Sequence, residues 1–274
     1  MSSPEAAAVL EVRDLIAGYN GSAVVRDVSI TVGAGEIVAL LGANGAGKTT
    51  TLSAIAGLVK PLSGTITLDG ESIVGLSPHK LARKGISLVP EDRALFSELT
   101  TRENLRIAGT RSRSRESEEQ ILELLPELKK CLQRKAGLLS GGEQQMLAVG
   151  RALVSKPKLL IVDEMSLGLA PVVVERLLPV LRDVADTLGT AVLVVEQHVA
   201  LAMEVATRAY VLAHGRLTLE GATADLKNDR ALITASYFGD AEAQAALSGM
   251  APAAAARKSK KKQDFDGVET DTIG

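Results

Sequence analysis

Apolar residues in this chain gather into two kinds of run. Short continuous ones rich in Val, Ile and Leu, at Glu36 to Leu41, Lys158 to Val162 and Thr190 to Val195, predict buried strands. Gly85 to Val89, ended by Pro90, predicts another. Stretches with helical periodicity run from Thr50 to Gly57, where glycine closes the helix, and from Pro171 to Leu188 between two of the buried strands. Val9 to Tyr19 and Ala23 to Val32 predict strands turning at Asn20-Gly21, and Ser63 to Gly70 predicts a strand bounded by turns. From Arg102 to about Arg151 the pattern is helical and more charged, with Ile121 to Leu125 as an apolar face and Arg111 to Glu116 as an exposed loop. A last hairpin, Arg208 to Ala213 and Arg216 to Glu220, turns at His214-Gly215. Strand and helix alternate at a spacing that predicts an α/β fold with a mainly parallel sheet core and helices on both faces. A helical insertion and an antiparallel β layer are added to that core.

The 274 residues can hold one large globular domain or two small ones. With 46% hydrophobic and 23% charged residues, the composition is that of a soluble protein. A net charge of −2 argues against a nucleic-acid binder, which usually shows a basic excess. The single cysteine, Cys131, excludes an internal disulfide and any multi-cysteine metal site, and its helical, mostly apolar setting makes it a packing residue. Met1 to Ala8 lacks the basic start and apolar core of a secretory signal. No apolar run nears the roughly 20 residues that span a bilayer. The expectation is a cytosolic protein, or one held at a membrane only through a partner. Toward the end the composition changes: Ala241 to Ala256 is alanine-rich, Arg257 to Lys262 basic and Asp264 to Asp271 acidic. So little apolar bulk predicts a disordered tail over 241–274. A membrane-surface or partner role for the basic run is a second reading of it.

Gly42-Ala43-Asn44-Gly45-Ala46-Gly47-Lys48-Thr49 fits G-x-x-x-x-G-K-[ST], the phosphate loop of nucleoside triphosphatases, and lies between a predicted strand and the helix that begins near Thr50. Backbone N–H groups of such a loop and the helix dipole form an anion site, and glycines let the main chain curl where a Cβ would collide. Lys48 would reach the β- and γ-phosphates, and the Thr49 hydroxyl would ligate Mg²⁺. Further on, Leu139-Ser140-Gly141-Gly142-Glu143-Gln144-Gln145 opens a helix running through Met146 to Val154. Two glycines there bare the backbone N–H groups, and the Ser140 hydroxyl adds a donor, giving a second anion site. Leu159-Leu160-Ile161-Val162-Asp163-Glu164 would deliver two carboxylates at the C-terminal end of a buried strand, where open α/β sheets bind ligands. Asp163 suits the Mg²⁺ shell, and Glu164 would polarise the attacking water. A further buried strand, Val192 to Val195, leads through Glu196-Gln197 to His198, whose imidazole could donate to the γ-phosphate. His79 and His214 have no such context.

Taken together, these motifs make the chain resemble the nucleotide-binding subunits of ABC transporters over about residues 9–240. Leu139 to Gln145 matches their L-S-G-G-[EQ]-Q signature, and a phosphate loop, acidic pair and switch histidine accompany it. The resemblance implies an ABC-type P-loop ATPase with a helical subdomain over about 92–155, using ATP and Mg²⁺. It places Tyr19 where the family stacks an aromatic ring on adenine, and His198 in the place of the switch histidine. Leu88-Val89-Pro90-Glu91-Asp92-Arg93, Phe96 to Leu105, Leu139 to Leu153 and Ser166 to Pro171 are similar to the ATP-binding subunits of branched-chain (hydrophobic) amino acid importers. Glu91 stands where most ABC ATPases carry glutamine, at the loop that meets Mg²⁺ and water and touches the permease. Met165 replaces the usual proline after the catalytic glutamate, and Asp92 the subgroup's usual glycine. The implied machine is a head-to-tail pair, each ATP held by the phosphate loop of one subunit and by Ser140, Gly141 and Gly142 of the other. Implied partners are transmembrane permease subunits, a second ATP-binding subunit (a sister chain, or this chain again) and, indirectly, a solute-binding protein. The implied place is the cytoplasmic face of the cell membrane. Other cargoes (urea, short amides, a lipid moved by a related exporter) and a soluble ABC-type ATPase acting on DNA or ribosomes remain alternatives.

Overall fold

A computed structural model describes residues 8–108 and 114–227. In chain order it contains β1 (Ala8–Tyr19), β2 (Ser22–Gly33), β3 (Ile37–Leu41), α1 (Lys48–Ile55), β4 (Ser63–Leu68), β5 (Glu71–Ser72), α2 (Pro78–Lys84) and β6 (Ile86–Val89). The helical insertion follows: α3 (Thr101–Ala108), α4 (Ser114–Leu124), two 3₁₀ turns and α5 (Gly141–Val154). The chain then returns to β7 (Leu159–Asp163), α6 (Pro171–Leu188), β8 (Ala191–Glu196), α7 (Val199–Val205), β9 (Arg208–Ala213), β10 (Arg216–Ala222) and α8 (Thr223–Lys227).

The strands form two sheets, one of order β2-β1-β4-β5 and one of order β10-β9-β3-β8-β7-β6. In the second, β9, β3, β8, β7 and β6 are parallel, and only the β9–β10 edge is antiparallel. Every residue of β3, β7 and β8 is buried, as continuous apolar runs in a sheet covered on both faces require. Alternation along each strand divides the core. Ile37, Ala39, Leu41, Leu160 and Val162 face the helices α3 to α7, while Val38, Leu40, Leu159 and Ile161 face α1 and the antiparallel sheet.

Several differences from the sequence reading have local causes. α1 starts at Lys48, two residues early, because Thr51 N–H already bonds the Gly47 carbonyl at 3.0 Å, so the end of the phosphate loop is the first helical turn. The expected loop at Arg111 to Glu116 is corrected in part: Ser114 to Glu116 belong to α4, and 111–113 lie outside the described residues. Glu118 of α4 accepts from Arg102 Nε at 2.9 Å and Arg106 Nε at 3.0 Å, which pins α3 to α4. The short elements β5, α2, α7 and α8 were not foreseen. Cys131 is buried with its thiol on the Leu128 carbonyl, as a packing residue should be. The predicted tail at 241–274 lies outside the described residues.

Candidate active site

The parallel strands present their C-terminal ends along one edge, and most of the chemistry foreseen in the sequence collects there. Between β3 and α1 the loop is tightly constrained. A Cβ on Gly42 would sit 2.5 Å from the Leu212 carbonyl oxygen, and one on Gly47, at φ 109°, would sit 2.5 Å from Val25 Cγ1. No side chain caps α1, so its leading N–H groups are left for an anion, and the backbone cradle suits phosphate. Lys48, 5% exposed, donates to Gly42 O at 2.8 Å and Ala43 O at 3.3 Å, and its Nζ lies 3.4 Å from Glu164 Oε1. The ammonium thus bridges the phosphate loop and the carboxylate beyond β7.

Asp163 closes β7 and is 9% exposed. Its Oδ1 is one of two buried side-chain polar atoms without a hydrogen-bond partner among the described residues. Burial, reinforced by the carboxylates of Glu164 and Glu91, pushes Asp163 up to about 6, while Lys48 pulls the other way. An unpartnered carboxylate oxygen among like charges favours a cation. Thr49, Asp163 and Glu91 are the hard oxygen donors that Mg²⁺ selects. Among the described residues no three His, Cys, Asp or Glu side chains form a cage by themselves. Mg²⁺ typically takes one or two carboxylates and completes its shell with phosphate and water, so the donor set fits.

Thr49 and Glu91 open on a cleft of about 340 Å³ whose wall also includes Asn44, Gly45, Gly47, Lys48, Thr50, Glu164 and Gln197. Ala46 is buried beneath the loop. Asp163, Gly42 and Ala43 lie outside this wall, and Tyr19 and His198 also stand apart from it. Tyr19 ends β1, is 49% exposed and is not in the cleft wall, which carries Val24 of the paired strand instead. His198 is the exposed N-cap residue of α7, and the residue that the end of β8 delivers to the cleft is Gln197. The sequence placed the strand correctly, but its exit into α7 fixes which neighbour turns inward.

The Glu164 backbone takes φ 44°, a left-handed conformation costly for a residue with a Cβ. Its N–H bonds the Val195 carbonyl at 2.9 Å. Two residues on, Ser166 donates from its backbone N–H to Glu196 Oε1 at 3.0 Å and from its hydroxyl to Oε2 at 2.9 Å. Met165 is fully buried, so the residue standing in for proline anchors this turn in the core. Sequence reasoning passed over Glu196, although an acid closing an otherwise apolar strand was the available signal.

Beyond β6 the chain carries Glu91 to the cleft and then fastens itself to α5. Arg93 donates to Gln145 Oε1 at 2.9 Å and Gln144 Oε1 at 3.0 Å, and Arg151 returns a bond to the Ala94 carbonyl at 2.7 Å. Asp92 is exposed and accepts from Ala94 N–H at 3.2 Å, so this replacement for glycine makes its own local turn. Ser140, Gly141 and Gly142 start α5 outside the cleft wall. Ser140 and Glu143 form a reciprocal capping box: Ser140 Oγ accepts from Glu143 N–H at 3.3 Å, and Glu143 Oε2 accepts from Ser140 N–H at 2.8 Å. The Ser140 hydroxyl also donates to that carboxylate at 2.9 Å.

Residues 25–166 match the family model described as ABC transporter, and the chain belongs to that family. It is 45% identical over 217 residues to the high-affinity branched-chain amino acid transport ATP-binding protein BraG of Pseudomonas aeruginosa, covering 78% of this chain and 93% of that one. It is 34% identical to the lipopolysaccharide export system ATP-binding protein LptB of Haemophilus influenzae, covering 81% and 93% respectively. A solved ATP-binding subunit of an ABC transporter superposes with a TM-score of 0.72 at 33% identity, over 82% of this chain and 94% of that one. The chain is therefore an ATP-binding subunit of a transporter, an ATPase that works with transmembrane permease subunits. No helix among the described residues is long and apolar enough to cross a membrane.

Proposed function

We propose that this chain powers an importer of branched-chain or other hydrophobic amino acids. The observation that carries this reading is the 45% identity to BraG across 93% of that protein's length. The glutamate at position 91 supports it, since this residue marks the same subgroup. A second reading, export of a lipid, draws on the 34% identity to LptB and exchanges cargo and direction while keeping the ATPase.

In the proposed cycle, ATP lies along the phosphate loop with Lys48 on its terminal phosphates and Tyr19 toward its adenine. Thr49, Asp163 and Glu91 would hold Mg²⁺, which would supply charge neutralisation on the phosphate oxygens. Glu164 takes the proton of the attacking water, and Gln197, the residue lining the cleft, or His198 beside it, contacts the γ-phosphate. Ser140, Gly141 and Gly142 complete the site of a second ATP-binding subunit packed head to tail. Because the importers this chain resembles usually carry two different ATPases, we assign that subunit to a sister chain.

The permease would meet the surface next to Glu91. Phe96 and Leu138 are 50% and 72% exposed, and the 96–97 and 137–138 segments are joined by the Gly137 N–H to Ser97 carbonyl bond at 2.9 Å. An apolar pair held on a braced loop suits a protein contact. With the permease in the bilayer, the chain works at its cytoplasmic face. The deciding experiment is purification from detergent-solubilised membranes through a tag on this chain, followed by uptake of radiolabelled leucine with and without the chain. Recovery of two permease subunits and a sister ATPase, with leucine uptake lost on deletion, is the expected result. Intact uptake together with a lipid-transport phenotype would overturn the importer reading in favour of the exporter.

A further inference from the structure

Glu196 ends β8 fully buried, a place where an ionisable group is expensive unless it has work to do. Burial raises its carboxyl, and the two Ser166 donors act against that rise. Ser166, in the segment that leads away from Glu164, engages both carboxylate oxygens, and the His198 backbone adds a further bond. That segment begins under strain, with Glu164 at φ 44°. A left-handed non-glycine residue persists only where its surroundings over-determine it. Here the determinants are countable: the Val195 carbonyl on Glu164 N–H at 2.9 Å, the Glu164 carbonyl on Leu167 N–H at 3.1 Å, the buried Met165, and the two-pronged grip of Glu196. All but one tie this turn to β8 or to its own backbone, and Glu196 alone fixes it through a side chain at both backbone and hydroxyl.

We propose that Glu196 is a positioning residue for hydrolysis: by clamping Ser166 it holds the turn that aims the Glu164 carboxylate at Lys48 and the water beyond. The proposal rests on Glu164 acting as the base, as argued above. Glu196 is not in the cleft wall, and its grip on Ser166 acts through Glu164, while its link to the His198 backbone steadies the end of β8 that carries Gln197. The clamp also accounts for Met165, because a turn fastened by Glu196 at its third residue has no need of a rigid proline at its second.

The test uses the complex purified through a tag on the full chain, with steady-state ATPase and nucleotide affinity measured on the same samples. Glu196→Gln keeps the shape but leaves one accepting oxygen, so the Ser166 hydroxyl must reverse its bond to accept from the amide, and Glu196→Ala, measured beside it, removes both acceptors. The expected result is a fall in kcat on the order of 10- to 100-fold, the size of effect that a displacement of about 1 Å produces. ATP affinity is expected to stay within about twofold, since the phosphate loop is untouched. Ser166→Ala, which keeps the backbone bond, is expected to lose a smaller factor, and the two changes together no more than Glu196→Gln alone. In a Glu164→Gln background, where hydrolysis is blocked, Glu196→Gln is expected to leave ATP affinity within about twofold, a result that a general loss of fold would not give. Normal kcat in both Glu196→Gln and Glu196→Ala, beside an inactive Glu164→Gln, overturns the clamp and leaves the base assignment standing. Substantial activity in Glu164→Gln overturns that assignment itself, and equal losses in kcat and affinity reduce Glu196 to a structural role.

Discussion

Asp163 costs the folded chain stability and supplies the charge its chemistry needs. Its carboxyl titrates at about 6 in the fold, whereas an unfolded aspartate titrates near about 3.9. Between those values the native state binds more protons than the unfolded one, so stability falls as pH rises through this window. Asp163→Asn is therefore expected to raise the melting temperature of the nucleotide-free chain near pH 7.5 and to abolish hydrolysis. The gain should shrink as the pH drops below about 6, where wild-type Asp163 is protonated. Thermal melts at both pH values check this, and an equal gain at each would sink the explanation. Gln197 and His198 pose a different question of one position against its neighbour. Because Gln197 lines the cleft and His198 is exposed, Gln197→Ala is expected to reduce kcat by at least about tenfold and His198→Ala by less than about threefold. Gln197→His should add an ionisation near about pH 6.5 to the rate profile. The reverse ranking of the two alanine variants would return the role to His198.

At the scale of elements, α5 carries constraints of two origins in the same few residues. Ser140 and Glu143 close its N-terminus with a capping box, while Gly141 and Gly142 keep the backbone bare. Bareness is also a packing demand: a Cβ on Gly142 would lie 2.6 Å from Val173 Cγ1 and 3.0 Å from its Cγ2, in the first turn of α6. Gly142→Ala is expected to destabilise the chain by about 1–3 kcal/mol through overcrowding. Val173→Ala in the same chain should recover most of that stability, read by urea denaturation, without restoring ATPase activity. Recovery of both would mean that packing against α6 is the whole role of Gly142. The two arginine bonds from Arg93 to Gln144 and Gln145 extend the same logic, since they tie the segment bearing Glu91 to the helix that bears the signature.

Among the described residues, the phosphate-loop cleft and the Ser140 to Gly142 turn do not meet. The cleft wall gathers the phosphate loop, Glu91, Glu164 and Gln197, and the signature residues open α5 outside it. In the proposed arrangement the site would be finished against another subunit, with ATP between the two. Glu164→Gln, with hydrolysis blocked, is expected to form an ATP-dependent pair with its sister subunit on size exclusion, and to separate with ADP. A species that stays single at saturating ATP would remove the head-to-tail arrangement.

Read alone, the sequence determined the strands of the parallel core, the long α6, the phosphate loop and the acidic pair. Each of these is a local signal: a continuous apolar run, a helical period from Pro171 to Leu188, or a motif whose residues are adjacent in the chain. Only the tertiary structure decided strand order, the start of α1 inside the loop, and the turn of Gln197 rather than His198 toward the cleft. It alone revealed the grip of Glu196 on Ser166, which joins residues 30 positions apart. Those features depend on hydrogen bonds and burial between distant segments, and no period or motif in one stretch of chain encodes what another stretch will place beside it.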